Sequence, residues 1–352
     1  MIKKIIISFL ILILIIGCSY DHEEKEQKVI GEIKTEITKE IKIPDSIVKN
    51  CIGSLPPIPQ ETELIASIGG GWVRPHPGPY IWEWIEEEKD DLNFKVTDEW
   101  AKESQKNNVA ILATVWPYAK WDQEECHAQE CEISNEDVFY PRGKDGIPKS
   151  RCAPCNIEDY KNFILKLVDR YDGDGIDDMP GLVIPIKYWE IMNEPDLKSP
   201  SLTFYKGTQK EYVEILKVSY ETIKSTCPDC KIVQGGAAGI DSEMIAYWNK
   251  IFQLEGGNYF DIANIHYINY GDADTLNVKD FKKLMAKNGI VKPIWVTEVE
   301  FKTEDNAGES VDGAFNAGAE KLFFTGLIAG KEDKPLAKDL LQLYENTLLK
   351  CK

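Results

Sequence analysis

Basic residues are scarce in this chain of 352 residues. Lysine and arginine number 41 against 59 aspartates and glutamates, a formal net charge of -18. A nucleic-acid binder needs a basic patch to neutralise phosphates, so this balance argues against nucleic acid as a partner. Long apolar runs are missing as well. The longest one, Ile5–Ile16, interrupted only by Ser8, is too short to cross a bilayer comfortably. No internal repeat appears, and no glycine-rich phosphate loop follows any candidate strand, which disfavours a nucleotide-binding doubly wound sheet. Apolar residues are plentiful, at 43% of the chain, enough for a large core.

The amino terminus, MIKKIIISFLILILIIGCSY, has a basic start, an apolar stretch and then Gly17-Cys18, the pattern of an export signal. Its IIGC resembles the lipobox of bacterial lipoproteins. That resemblance implies cleavage before Cys18, acylation of its sulfur and a lipid anchor on the cell envelope. Residues 1–17 are then the signal, and 18–45, rich in Glu and Lys, a solvated tether. Residues 46–352 form one domain. Eight further cysteines suit an oxidising compartment and up to four disulfides. Cys126/Cys131, Cys152/Cys155 and Cys227/Cys230 are closely spaced, and Cys51 and Cys351 stand at the two chain ends. Zinc held by Cys126, Cys131, Cys152 and Cys155 is the competing reading of four of them.

Short apolar segments alternate with helical ones. Strands are expected near Ile47–Gly53, Gly69–Arg74, Val109–Trp116, Ile184–Ile191, Lys231–Ala237, Phe260–Tyr267, Pro293–Val299 and Lys321–Leu327. Between them, PQETELIASI, VTDEWAKESQKN, NIEDYKNFILKLVDRY, TQKEYVEILKVSYETIKST, SEMIAYWNKIFQLE and VKDFKKLMAKN repeat apolar residues every three or four positions, as one-faced helices do. Regular alternation implies parallel strands, and eight units in about 300 residues fit an α/β (β/α)8 TIM barrel. The insert after the third strand is long for such a loop, which marks it as functional.

In such a barrel, chemistry gathers at the carboxyl ends of the strands. Glu194, in YWEIMNEP, ends the fourth expected strand, and Glu298, in IWVTEVEF, ends the seventh. Two carboxylates facing across a barrel mouth are what glycosidic cleavage needs, one as acid and one as nucleophile or base. These two stretches resemble the fourth- and seventh-strand motifs of clan A glycoside hydrolases, with families 5 and 39 nearest. The resemblance covers Trp72 to the carboxyl terminus. It implies a retaining enzyme with Glu194 as acid/base, Glu298 as nucleophile, and Asn193 on the sugar 2-hydroxyl. It further implies His266 and Tyr267 bracing the carboxylates and Arg74 keeping Glu298 charged. The chain departs from the clan in lacking a tryptophan at the end of strand eight, KLFFTGLIAG.

Sugar rings stack on aromatic faces, and Trp116 and Trp121, flanking the long loop, are candidates for that, with His76 a candidate hydroxyl contact. The expected substrate is a β-linked polysaccharide or oligosaccharide, and no cofactor is required. Asp172, Asp174 and Asp178, in DGDGIDD, offer oxygens at the spacing of a structural calcium loop, although Val183 stands where an EF-hand carries its bidentate glutamate. A carbohydrate-binding lipoprotein without turnover, or a transglycosylase, are the competing functions.

Overall fold

The computed structural model describes residues 40–127, 131–132, 147–199, 202–301 and 307–325, together with 343, 346, 347 and 351. Eight strands run parallel: β1 (Ile52–Ser54), β2 (Trp72–Val73), β3 (Ala110–Val115), β4 (Tyr188–Asn193), β5 (Lys231–Gly236), β6 (Ala263–Ile268), β7 (Ile294–Glu300) and β8 (Ala319–Phe324). Their order in the sheet is β6-β7-β8-β1-β2-β3-β4-β5. Parallel bridges Val233–Ile262 and Ala237–Ile265 carry β5 back to β6 and close the barrel. The expected α/β (β/α)8 TIM barrel is therefore the fold.

Seven helices follow the first seven strands in turn: α1 (Thr62–Ser67), α2 (Lys95–Lys106), α3 (Ile157–Asp169), α4 (Gln209–Thr226), α5 (Ser242–Gln253), α6 (Val278–Lys287) and α7 (Ala307–Ala317). Helix α3 shows why they form. Tyr160, Phe163, Ile164, Leu167 and Val168 put one face into the core, and the Asn156 side chain accepts the Glu158 and Asp159 N–H groups at its start. Thr208 and Glu211 make a reciprocal capping box for α4. Six of the helices lie where periodicity predicts them. Helix α7 does not announce itself, since its sequence, AGESVDGAFNA, contains Gly308 and Gly313. Gly313 is there for space: a Cβ would lie 1.8 Å from the Asp274 carbonyl oxygen.

The first expected strand needs correction. Residues 45–49 are a short helix and the strand itself is only Ile52–Ser54. Pro44 precedes that helix, and Ile43 and Ile47 pack into the barrel base with Trp72, Leu112, Trp295 and Phe323. The Trp72 indole N–H donates to the carbonyls of Ile47 and Asn50, and the Lys321 ammonium donates to those of Val48 and Asn50. Because Ile41 also donates its N–H to the Gly173 carbonyl at 2.7 Å, the folded domain starts before residue 46. Residues 40–50 are thus a floor under the strands. Cys18 and residues 1–39 lie outside the described residues.

Four disulfides join Cys51–Cys351, Cys126–Cys155, Cys131–Cys152 and Cys227–Cys230. Zinc on the loop cysteines is overturned, because all four are consumed as two nested bridges. These bridges pinch the long loop after β3. Its buried Arg151 donates to the carbonyls of Pro148 and Thr203, tying it to the loop after β4. Among the described residues no helix is long and apolar enough to cross a membrane.

Candidate active site

The barrel interior changes character from base to mouth. Tyr188 stacks on Trp295 at the base, and Trp72 meets both edge-on. The next layer is polar and fully buried: Arg74 just past β2, Thr114 on β3, Glu190 on β4, Asn264 on β6 and Thr297 on β7. Glu190 joins them, accepting from Arg74 Nε (2.6 Å), Thr114 Oγ1 (2.5 Å) and Asn264 Nδ2 (2.7 Å). A carboxylate with a cation and two further donors is the form in which a buried charge is tolerated.

Two irregularities lift the catalytic candidates onto this layer. In β4, Ile191 pairs with Gln234 and Asn193 with Gly236, while Met192 between them stands outside the ladder. Met192 and Glu194 there adopt φ +73 and +40, left-handed values that residues with a side chain seldom take. In β7 the register shifts opposite Ile265/His266, which places Glu298 beside His266 although Thr297 also faces inward. Bulges of this kind re-aim side chains at functional sites.

As a result Glu194 and Glu298 meet, exposing only 5% and 7% of their surfaces. One oxygen of each carboxyl and a ring nitrogen of His266 all lie within 4.8 Å of one another. His266 Nδ1 is 2.7 Å from Glu194 Oε1 and 3.8 Å from Glu298 Oε1, and its Nε2 is 3.0 Å from Thr297 Oγ1. Gly236 makes room for this ring, since a Cβ there would sit 1.9 Å from Nε2. Arg74 donates through Nη1 to Glu298 Oε1 (2.7 Å) and through Nη2 to Asn193 Oδ1 (2.7 Å). His76 Nδ1 lies 3.2 Å from Arg74 Nη1 and 3.7 Å from Glu298 Oε1.

The two carboxyls differ in their partners. Glu194 has no cation in contact. Burial, reinforced by the charge of Glu190 and opposed by Arg74, pushes it up to about 7. Burial also pushes Glu298 upward, opposed by the 2.7 Å contact with Arg74. Burial pulls His266 down to about 4 and His76 well below the usual imidazole range, so both rings are neutral at pH 7. Around Arg74, burial is outweighed by Glu190 and Glu298, which hold the guanidinium charged. Burial thus lifts both carboxyls, and only Glu298 has a cation in contact to oppose that lift.

Of the residues singled out in the sequence, Arg74, His76, Asn193, Glu194, His266 and Glu298 come together. Trp116 is close, with its ring centroid 6.3 Å from that of His76, but it is fully buried and its indole N–H is spent on the Pro77 carbonyl. Tyr267 and Trp121 do not join them. Tyr267 follows His266 on a strand, so it points the other way, against Phe301. Trp121 packs on Trp82 and donates to the Glu86 carbonyl. The loops after β2 and β3 leave a cavity of about 460 Å³ between them, walled partly by Glu83, Trp84 and His127.

The calcium candidates also converge. One oxygen each from Asp172, Asp174 and Asp178 lies within 4.8 Å of the others. Asp178 already accepts the N–H groups of Gly173 and Gly175, and Asp174 that of Ile176, so backbone donors offset part of the crowding. The donor set, three clustered carboxylates on a glycine-bearing loop, fits a hard cation.

Sequence reasoning missed Glu190, Thr114, Asn264 and Thr297. A signal for Glu190 was present: a charged residue at the inward alternation of an otherwise apolar strand, YWEIMN, demands a buried partner.

No family model matches the sequence, and no curated protein matches it. Solved structures do. The chain is similar to a glucosidase from Croceicoccus marinus over 86% of its own length and 68% of that protein's, with 13% identity and a TM-score of 0.58. It is similar to a GH39 enzyme from Xanthomonas axonopodis pv. citri over 82% and 62%, with 14% identity and a TM-score of 0.56. It is similar to an endo-1,4-beta-mannanase from Rhizomucor miehei over 86% and 95%, with 14% identity and a TM-score of 0.54. The chain thus spans less than two thirds of the GH39 enzyme, and at these identities the likeness is one of fold.

Proposed function

We propose that the chain is a retaining glycoside hydrolase cleaving O-glycosidic bonds of β-linked glycans or oligosaccharides. The observation that carries this reading is the buried Glu194–His266–Glu298 cluster at the barrel mouth, with Arg74 on Glu298 alone of the two carboxylates. The fold shared with a glucosidase, a GH39 enzyme and a mannanase supports it. Carboxyls that inverting enzymes use stand roughly 6.5–9.5 Å apart to admit water, whereas retaining pairs stand about 5–5.5 Å apart. Oxygens within 4.8 Å favour the retaining case.

In the first step the Glu298 carboxylate attacks the anomeric carbon while Glu194 gives its proton to the departing oxygen. The glycosidic C–O bond breaks and a glycosyl ester of Glu298 forms. In the second step Glu194, now a carboxylate, takes a proton from water. The water oxygen bonds to the anomeric carbon, the ester bond breaks, and both residues return to their starting states. Asn193, fixed by Arg74, is placed to bond a sugar hydroxyl. The four disulfides and the amino-terminal sequence support an exported enzyme, anchored through Cys18.

Screening aryl β-glycosides and β-linked polysaccharides tests the reading. Glu298→Gln should lose turnover by more than about 10³-fold, the loss expected when a covalent nucleophile goes. The first-formed sugar, followed by proton NMR, should keep the substrate's anomeric configuration. An inverted product would remove Glu298 from the nucleophile role.

A further inference from the structure

Asp196 takes no part in that exchange, yet it is another buried carboxylate, two residues beyond Glu194. Its oxygens face only donors. The Ala238 N–H lies 3.1 Å from both Oδ1 and Oδ2, and the Trp248 indole N–H donates to Oδ2 at 2.9 Å. Ala238 follows the end of β5, and Trp248 is buried on α5. Between Glu194 and these anchors the chain makes a tight turn, Glu194-Pro195-Asp196-Leu197, closed by the Leu197 N–H on the Glu194 carbonyl at 3.1 Å. Proline at the second place of a turn presets its backbone angle.

This turn has two fixed ends. At one, the Glu194 side chain meets His266 of β6 at 2.7 Å. At the other, Asp196 is held by β5's exit and by α5. Glu194 itself sits at φ +40, a backbone state that persists only where the surroundings impose it. His266 fixes the carboxyl but not the main chain, so the clamp on Asp196 is the restraint that acts on the backbone. The oxygens of the Asp196 carboxyl meet both converging donors as acceptors.

We infer that Asp196 is a positioning residue for the acid: by tying the Glu194–Leu197 turn to β5 and α5, it holds the Glu194 carboxyl in line with the leaving-group oxygen. The inference rests on the glycosidase reading.

Leaving-group dependence tests it. A 2,4-dinitrophenyl glycoside departs without a proton, whereas a phenyl glycoside needs one. Asp196→Asn should lose about ten-fold or more in kcat/KM on the phenyl glycoside and under about two-fold on the dinitrophenyl one, within the range that general acids contribute. Trp248→Phe, which removes one donor and leaves the turn's sequence intact, should show the same skew to a smaller degree, and it carries the test should Asp196→Asn fail to fold. Equal losses on both substrates, or none on either, would overturn the inference and leave the glycosidase reading standing. A wild-type enzyme that turns over neither glycoside sinks that reading, and the inference with it.

Discussion

Arg74 serves three acceptors with one planar group: Glu190 through Nε, Glu298 through Nη1 and Asn193 through Nη2. A lysine has neither the fork nor the reach to replace it. Arg74→Lys is therefore expected to cut kcat/KM by about 10²-fold or more, since an electrostatic partner of the reacting centre is lost; steady-state kinetics would show it. Glu194 needs its proton for the first step, and burial sets that proton's loss at about 7. Activity should therefore fall as pH rises through about 7. Glu190 adds to the upward push on Glu194. Replacing a like charge by a neutral group favours ionisation, so Glu190→Gln should move this basic limb to lower pH. A pH profile of kcat/KM with an unmoved limb would count against the coupling.

At the scale of elements, the barrel could be read from periodicity because each helix and strand buries a face of its own. The carboxylate pair at the mouth could be read because both glutamates end apolar strands. What could not be read is what happens at strand irregularities. The left-handed Met192 and the register shift before Glu298 depend on neighbouring strands, and no local pattern encodes them. They decide that Glu298 shares the mouth with Glu194, and strict alternation decides that Tyr267 does not. The polar layer of Glu190, Asn264 and Thr297 is likewise built from residues far apart in the chain. The aspartate loop carries its own prediction. Burial, with Asp174 and Asp178 nearby, raises Asp172 to about 7 from 3.8. The folded state then binds the proton more tightly than the unfolded chain, so this group's stability contribution is full below about 4 and is lost as pH rises through 7. A divalent cation would relieve the same repulsion. Millimolar calcium at pH 8 should raise Tm, and Asp174→Asn should shrink that rise.

For the molecule as a whole, closure depends on its ends. Cys51 precedes β1 and Cys351 lies 300 residues on, so their bridge joins the floor to the carboxyl-terminal region. A cross-link over so long a loop removes roughly 6 kcal/mol of chain entropy from the unfolded state in the simplest treatment. Cys51→Ala with Cys351→Ala should lower the denaturation midpoint clearly, while activity at low temperature persists. The nested bridges Cys126–Cys155 and Cys131–Cys152 act locally instead. Their loss should loosen the loop after β3, and with it KM, more than global stability.

The floor formed by residues 40–50 sets a direction. The chain reaches the barrel from beneath the amino ends of the strands, where Ile43 and Ile47 seal it. The carboxyls open at the opposite pole. Residue 40, where the described chain begins, therefore stands at the pole away from Glu194 and Glu298, and a label or surface coupled close to Ile41 is expected to leave the mouth open.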